Sequence, residues 1–301
     1  MTKENIAEEL KKIQDYICKE LESADGLAVF KEDLWTREEG GGGRTRVLTN
    51  GNVIEKGGVN FSAVHGKTPE KILHALNLPE SDFFATGVSI VIHPNNPHVP
   101  IIHMNIRYFE MSNGNYWFGG GIDLTPHYVV KEDATFFHRE LKNMCNQYDP
   151  NFYSKFKTWA DDYFYIPHRN ETRGIGGVFF DHLNETNTTL SKEQLFNFIK
   201  DTGLLFPKIY VSLMHKNKGL TFNEKERTWQ KIRRGRYVEF NLVYDKGTKF
   251  GLDTNGRTES ILMSMPPEAS WEYEYKTAVG SKEEETLKLL TKAIDWANGL
   301  D

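Results

Sequence analysis

Phe84–Thr125, FATGVSIVIHPNNPHVPIIHMNIRYFEMSNGNYWFGGGIDLT, reads as three strands that carry one polar row on an otherwise apolar sheet. From Ile101 to Phe109 the side chains alternate: Ile102, Met104, Ile106 and Tyr108 point one way, and Ile101, His103, Asn105, Arg107 and Phe109 the other. The first set is a core face. The second puts an imidazole, an amide and a guanidinium about 7 Å apart along one strand, where plain burial would leave each needing its own partner. That pattern points to a face turned toward a ligand.

In the preceding strand Val88, Ile90 and Ile92 form one face and Ser89, Val91 and His93 the other. Antiparallel pairing centred on His98 would set Ser89 opposite Arg107 and His93 opposite His103, a register that the proline-bearing HPNNPHVP connection can shift. In the third strand Asp123 follows Gly119 and Gly121 on the same side, which leaves almost no side chains there. Two readings fit: a floor for a flat, wide ligand, or a bulged core strand with Asp123 as a turn cap.

The whole chain of 301 residues, 39% hydrophobic and 26% charged, has the composition of a soluble globular protein, and its net charge of -5 argues against a nucleic-acid partner. Its two cysteines, Cys18 and Cys145, lie far apart with no CxxC pair, which fits a reducing compartment and excludes a cysteine-built zinc site. MTKENIAEELKKI lacks the apolar core of a signal peptide, and no run approaches ~18 apolar residues, so a cytoplasmic protein without integral membrane association is expected.

Around the central strands, residues 4–21 have helical spacing of Ile6, Leu10, Ile13, Ile17 and Leu21. Gly40 to Gly43 read as a flexible surface loop, or in a functional version as a lid bringing Arg44 or Arg46 to an anion. GVNFSAVHG reads as a strand, TPEKILHALN as a helix with a Thr cap, and KEDATFFHRELKNMCNQYD and residues 151–165 as helices. His138 on the first of these reads as a surface or satisfied core histidine. DDYFYIPHRNETRGIGGVFFD crowds His168, Arg169, Glu171 and Arg173 into a salt-bridged corner or a binding edge, then starts a strand. Residues 191–234 read as helical. RYVEFNLVYDKGTKFGLDTNGRTESILMSM reads as two or three strands joined by DKG and TNG turns, with Asp245 and Arg257 at a sheet rim, before a last helix over 281–297. No linker or repeat divides residues 1–301, so one α+β domain is expected.

Taken together, GVSIVIHPNNPHVPIIHMNIRYFE, WFGGGIDLTP, DDYFYIPHRNETRGIGGVFFDHL and RRGRYVEFNLVYDKGTKFGL followed by GRTESILMSMPP closely resemble the oxygen-dependent coproporphyrinogen III oxidase family, in family order over nearly the whole chain. The resemblance implies a large antiparallel sheet flanked by helices, a homodimer, and oxidative decarboxylation of two propionates of coproporphyrinogen III to vinyl groups, giving protoporphyrinogen IX in haem biosynthesis. It also implies Ser89 as a substrate contact, His103 as proton donor, and two substrate-binding segments, Asn105, Ile106 and Arg107, and Asn255, Gly256 and Arg257. His93, His103, His138 and His168 correspond to histidines assigned as divalent-metal ligands, and Asp123, Arg173 and Asp245 to functionally important positions. Tyr237 to Trp271 corresponds to the dimerisation region, and His168 to a residue tied to dimer integrity. Asn255 stands where many relatives have glycine, so its contact is attributed to the backbone.

A porphyrinogen, broad and apolar with carboxylates at its edge, suits a glycine-floored sheet rimmed by Arg107, Arg173 and Arg257. An ionised Asp245 accepts hydrogen bonds from several pyrrole NH groups or acts as base, and His103 exchanges protons near neutral pH. Dioxygen is the expected co-substrate. The electron-rich ring needs no flavin, NAD or haem, and neither a GxGxxG fingerprint nor a haem-attachment motif occurs. A manganese-like divalent cation is compatible with four histidines but not required, because a metal-bound ring nitrogen is unable to donate a proton as well. The alternatives are a histidine-metal oxygenase on another planar substrate and a non-catalytic tetrapyrrole carrier.

Overall fold

The computed structural model describes residues 1–68, 81–253 and 256–299. Asn255 and nearly all of the helix expected at TPEKILHALN lie outside them. The first helix, α1 (Lys3–Asp25), starts at a Thr2–Asn5 capping box and stops at Gly26, whose φ of 76° is the left-handed conformation that glycine adopts freely. Its Ile6, Leu10, Ile13, Ile17 and Leu21 are buried, each worth roughly 1.5–3 kcal/mol of transfer free energy.

Among the described residues seven strands follow as one antiparallel sheet in the order β1-β2-β3-β4-β5-β6-β9. They are β1 (Lys31–Thr36), β2 (Gly41–Thr49), β3 (Ile54–Lys67), β4 (Asp82–Pro94), β5 (Ile101–Met111), β6 (Tyr116–Thr125) and β9 (Gly177–Leu183). Between β6 and β9 run α2 (Lys131–Asn146), α3 (Phe152–Tyr163) and the short pair β7 (Tyr165–Ile166) and β8 (Glu171–Thr172). After β9 the described regular elements are all helices: α4 (Lys192–Asn217), α5 (Glu224–Val243), α6 (Lys246–Asp253), α7 (Thr258–Leu262), α8 (Lys282–Leu289) and a 3-10 turn at Trp296–Asn298, with residues 263–281 irregular. The α+β class is as expected.

Alternation along β5 holds. Ile102, Met104, Ile106 and Tyr108 are buried in the main core with α1 and α4. The two helices lie so close over β5 that a Cβ on Gly203 of α4 would come within 2.9 Å of Ile13 and 3.0 Å of Ile106. Ile106, expected on a substrate-binding segment with Asn105 and Arg107, spends its side chain on this packing, on the face opposite to that of His103 and Arg107.

Three further expectations are corrected. The β4–β5 register is centred one residue earlier, with Ser89 facing Asn105, Val91 facing His103 and Gly87 facing Arg107. Gly41–Gly43 are part of β2, paired with β1 and β3, and Arg44 and Arg46 are held by Asp15 and Glu32, so they form neither a loose loop nor a lid. The stretch RYVEFNLVYDKGTKFGLDTNGRTESILMSM, read as strands, instead holds the end of α5, α6 and α7 among its described residues: an Asn223–Glu226 capping box opens α5, and Trp229, Ile232, Tyr237 and Phe240 bury one helical stripe. Residues 191–234 are likewise broken between α4 and α5, and the last helix ends at Leu289.

Candidate active site

Three antiparallel pairings place His103 beside Asp123 on neighbouring strands and Asn105 beside Gly121, with Arg107 beside Gly119. His103 Nδ1 lies 2.7 Å from Asp123 Oδ1. Arg173, directly after β8 and four residues before Gly177 opens β9, reaches the same carboxylate with Nη2 at 2.8 and 2.7 Å from its two oxygens. Its Nη1 donates to Asn241 Oδ1 of α5 at 3.0 Å. The guanidinium is packed among the rings of Phe164, Tyr237 and Phe240, 4.3 to 4.7 Å from their centroids, so β6, the β8–β9 link and α5 all converge on one carboxylate.

Electrostatics sets the proton positions. Burial pushes the Asp123 carboxyl up, but the Arg173 charge and the His103 bond outweigh it and hold the group below the usual carboxylate range. An ionised carboxylate only accepts, so Nδ1 of His103 carries the hydrogen and Nε2 is the nitrogen left for exchange. Arg173 is buried against Asp123 and is not part of an arginine rim as expected. Nor is Asp123 a turn cap.

Further along the polar row, Arg107 Nη1 donates to Asn105 Oδ1 at 2.8 Å, and Nη2 lies 2.9 Å from Asp181 Oδ2. The glycines are there for the protein's own groups. A Cβ on Gly119 would meet Asp181 Oδ1 at 2.5 Å and Arg107 Nε at 2.8 Å, and one on Gly121 would meet the Phe179 ring at 3.2 Å. Phe179 in turn stacks on Tyr163 with ring centroids 4.1 Å apart.

Asp245 lies in the link between α5 and α6, not at a strand end. Its carboxylate accepts from Tyr163 Oη at 2.9 Å and from the Thr248 backbone N–H at 2.7 Å, the second contact capping α6. Two such bonds leave acceptor capacity on the carboxylate. Arg257 opens α7, ion-pairs with Asp33 of β1 and donates to Ser260 Oγ at 3.1 Å, while Ser260 meets Thr45 of β2 at 3.0 Å. Gly256 packs its backbone N–H on Gly251 O at 2.8 Å. The segment that follows covers the β3–β4 end of the polar face, where His93 Nε2 and Ser264 O are 2.8 Å apart. Ser89 is half-buried on this face, level with Asn60 and Asn105.

The four histidines expected as metal ligands are held by different partners. His138 is buried in α2 between Tyr153 Oη at 3.0 Å and Ile175 O at 2.9 Å, a satisfied core histidine. His168 lies at the exposed corner between Tyr244 Oη at 2.7 Å and Glu239 at 2.8 Å. Burial drives His138 down to about 3, and burial with the Arg234 charge does the same to His93. Among the described residues no group of three or more His, Cys, Asp or Glu side chains is arranged to hold a metal ion, so the set does not fit a common metal.

Sequence reasoning missed Asp181, Asn241, Tyr163 and the rings around Arg173. Only Asp181 carried a signal, because it follows Phe179 by two residues and so shares its face.

A family model described as Coproporphyrinogen III oxidase matches residues 5–296. A protein of Prochlorococcus marinus subsp. pastoris named oxygen-dependent coproporphyrinogen-III oxidase is 47% identical over a 314-residue alignment that covers 96% of this chain and 91% of the relative. One of the same name from Prochlorococcus marinus strain MIT 9312 shows the same identity and coverage. A match of that length, with its motifs meeting around one buried carboxylate, establishes that the chain belongs to the coproporphyrinogen III oxidase family.

Proposed function

We propose that the protein converts coproporphyrinogen III to protoporphyrinogen IX by oxygen-dependent oxidative decarboxylation of two propionates. For each vinyl group, one carbon dioxide leaves, and two electrons and two protons pass to dioxygen to give hydrogen peroxide. The observation that carries this reading is the His103–Asp123–Arg173 line, which orients a proton-exchanging Nε2 on the same strand face as Arg107. Arg107 and Arg257 hold propionate carboxylates, Ser89 and Asn105 contact the substrate edge, and Gly256 contributes backbone. Asp245 engages the pyrrole NH groups, and His103 handles a proton during oxygen reduction. Asp123 acts through His103.

No step runs through a metal, flavin, nicotinamide or haem. The protein works in the cytoplasm as one domain and as a homodimer through Tyr237–Trp271, where Leu242, Val243, Leu252 and Trp271 are exposed. Aerobic incubation with coproporphyrinogen III tests the reaction: carbon dioxide release and vinyl products are expected, whereas binding without conversion would make the protein a tetrapyrrole carrier.

A further inference from the structure

Asp181 is placed against Arg107 by a local deformation of the sheet. The β6–β9 ladder shifts register between Phe118 and Gly120, and the next residue of β9 after Asp181, His182, has a φ of 53°. That left-handed conformation is uncommon for a non-glycine residue and carries strain. It turns the His182 backbone N–H onto Asp181 Oδ1 at 2.9 Å. Gly119 supplies the slot beneath, since any Cβ there would collide with both Asp181 and Arg107. The bulge, the strained residue and the glycine serve the same result: a carboxylate laid 2.9 Å from the guanidinium of Arg107.

Both partners are partly open, with 34% of the Arg107 side chain and 25% of the Asp181 side chain exposed. An ion pair so placed is exchangeable. Asn105 meanwhile holds Arg107 from the other side through Nη1, so the guanidinium keeps its place when the Asp181 contact changes. A carboxylate-bearing ligand that comes to Arg107 meets a carboxylate already there.

We propose that Asp181 is a positioning residue that acts through Arg107 as an internal stand-in for a substrate carboxylate: it keeps the guanidinium over Gly119 in the free enzyme and competes with the incoming propionate. The proposal rests on Arg107 as a propionate site. Competition weakens substrate binding and eases release of the carboxylate product.

Steady-state kinetics with coproporphyrinogen III, and fluorescence titration with coproporphyrin III as an equilibrium probe, test this in Asp181→Asn. KM and the probe's Kd are expected to fall roughly two- to five-fold, the scale of a partly exposed ion pair, with kcat unchanged or lower. In an Arg107→Gln background the same substitution is expected to change neither, because the competitor then has nothing to compete for. An unchanged or raised KM overturns the proposal, as does a fall that persists without Arg107, since the charge would then act on the ligand directly. Should Asp181→Asn fold poorly, Asp181→Ser removes the same charge with a smaller side chain and is read the same way. Failure of the wild-type protein to convert coproporphyrinogen III is a separate result, and it rejects the assigned reaction rather than the role of Asp181.

Discussion

His103 donates from Nδ1 to Asp123 Oδ1 over 2.7 Å, and the same oxygen accepts from Arg173 at 2.8 Å, so a buried ion pair fixes the tautomer of a half-buried histidine. Asp123→Asn removes the charge that selects this tautomer and leaves Arg173 buried without its counterion. We expect kcat to fall by at least ~100-fold and stability by roughly 3–5 kcal/mol. Rate assays and thermal melts check the two effects, and a well-folded variant with normal kcat would remove Asp123 from the mechanism.

Asp245→Asn separates structure from chemistry. Asparagine caps helices nearly as well as aspartate, so α6 keeps its first turn. Its amide, however, faces pyrrole donors with another donor and brings no negative charge. The expected outcome is an unchanged melting temperature with turnover reduced by about 100-fold or more. Normal turnover would show that the carboxylate serves only Tyr163 and Thr248.

Arg107→Lys keeps the charge but loses the planar fork that holds Asn105, Asp181 and a substrate carboxylate together. We expect KM to rise about ten-fold, as one charge-assisted hydrogen bond is lost. Equal KM in the two proteins would assign Arg107 to the sheet rather than to the substrate.

Acid should unfold the protein through its buried histidines. His93 and His138 titrate near 3 in the fold and near 6.5 when exposed, so the unfolded chain binds more protons between these values. Their contribution is complete above about pH 6.5 and is lost as pH falls toward 3, at up to about 1.4 kcal/mol per pH unit for each. Melting temperatures from pH 7.5 to 4.5 should decline, with a shallower slope in His138→Gln. A slope identical to wild type would mean that His138 takes up its proton in the folded protein as readily as in the unfolded chain.

Metal depletion gives a further check. His93 faces Ser264 O, and both ring nitrogens of His138 have partners, Tyr153 and Ile175. Chelator-treated enzyme, verified by elemental analysis, is expected to keep most of its activity, and a large loss restored by one divalent ion would contradict that.

The sequence by itself determined which face of β5 is core and which is the polar row, because strand side chains alternate with a period of two and Ile102, Met104 and Ile106 declare one side. It also determined α1, whose apolar spacing and cap are local signals. The register of β4 on β5 was not legible, since the same alternation suits pairings shifted by one residue at their centre, and the HPNNPHVP turn decides between them. The stretch RYVEFNLVY has the aromatic and β-branched content of a strand, yet it is helical in α5, where Tyr237 and Phe240 close over Arg173. Tertiary packing overrides propensity there. The pairing of Arg173 with Asp123 lies beyond any local pattern: the two are 50 residues apart, and only the pairing of β9 beside β6, with α5 across them, brings the guanidinium to the carboxylate that orients His103.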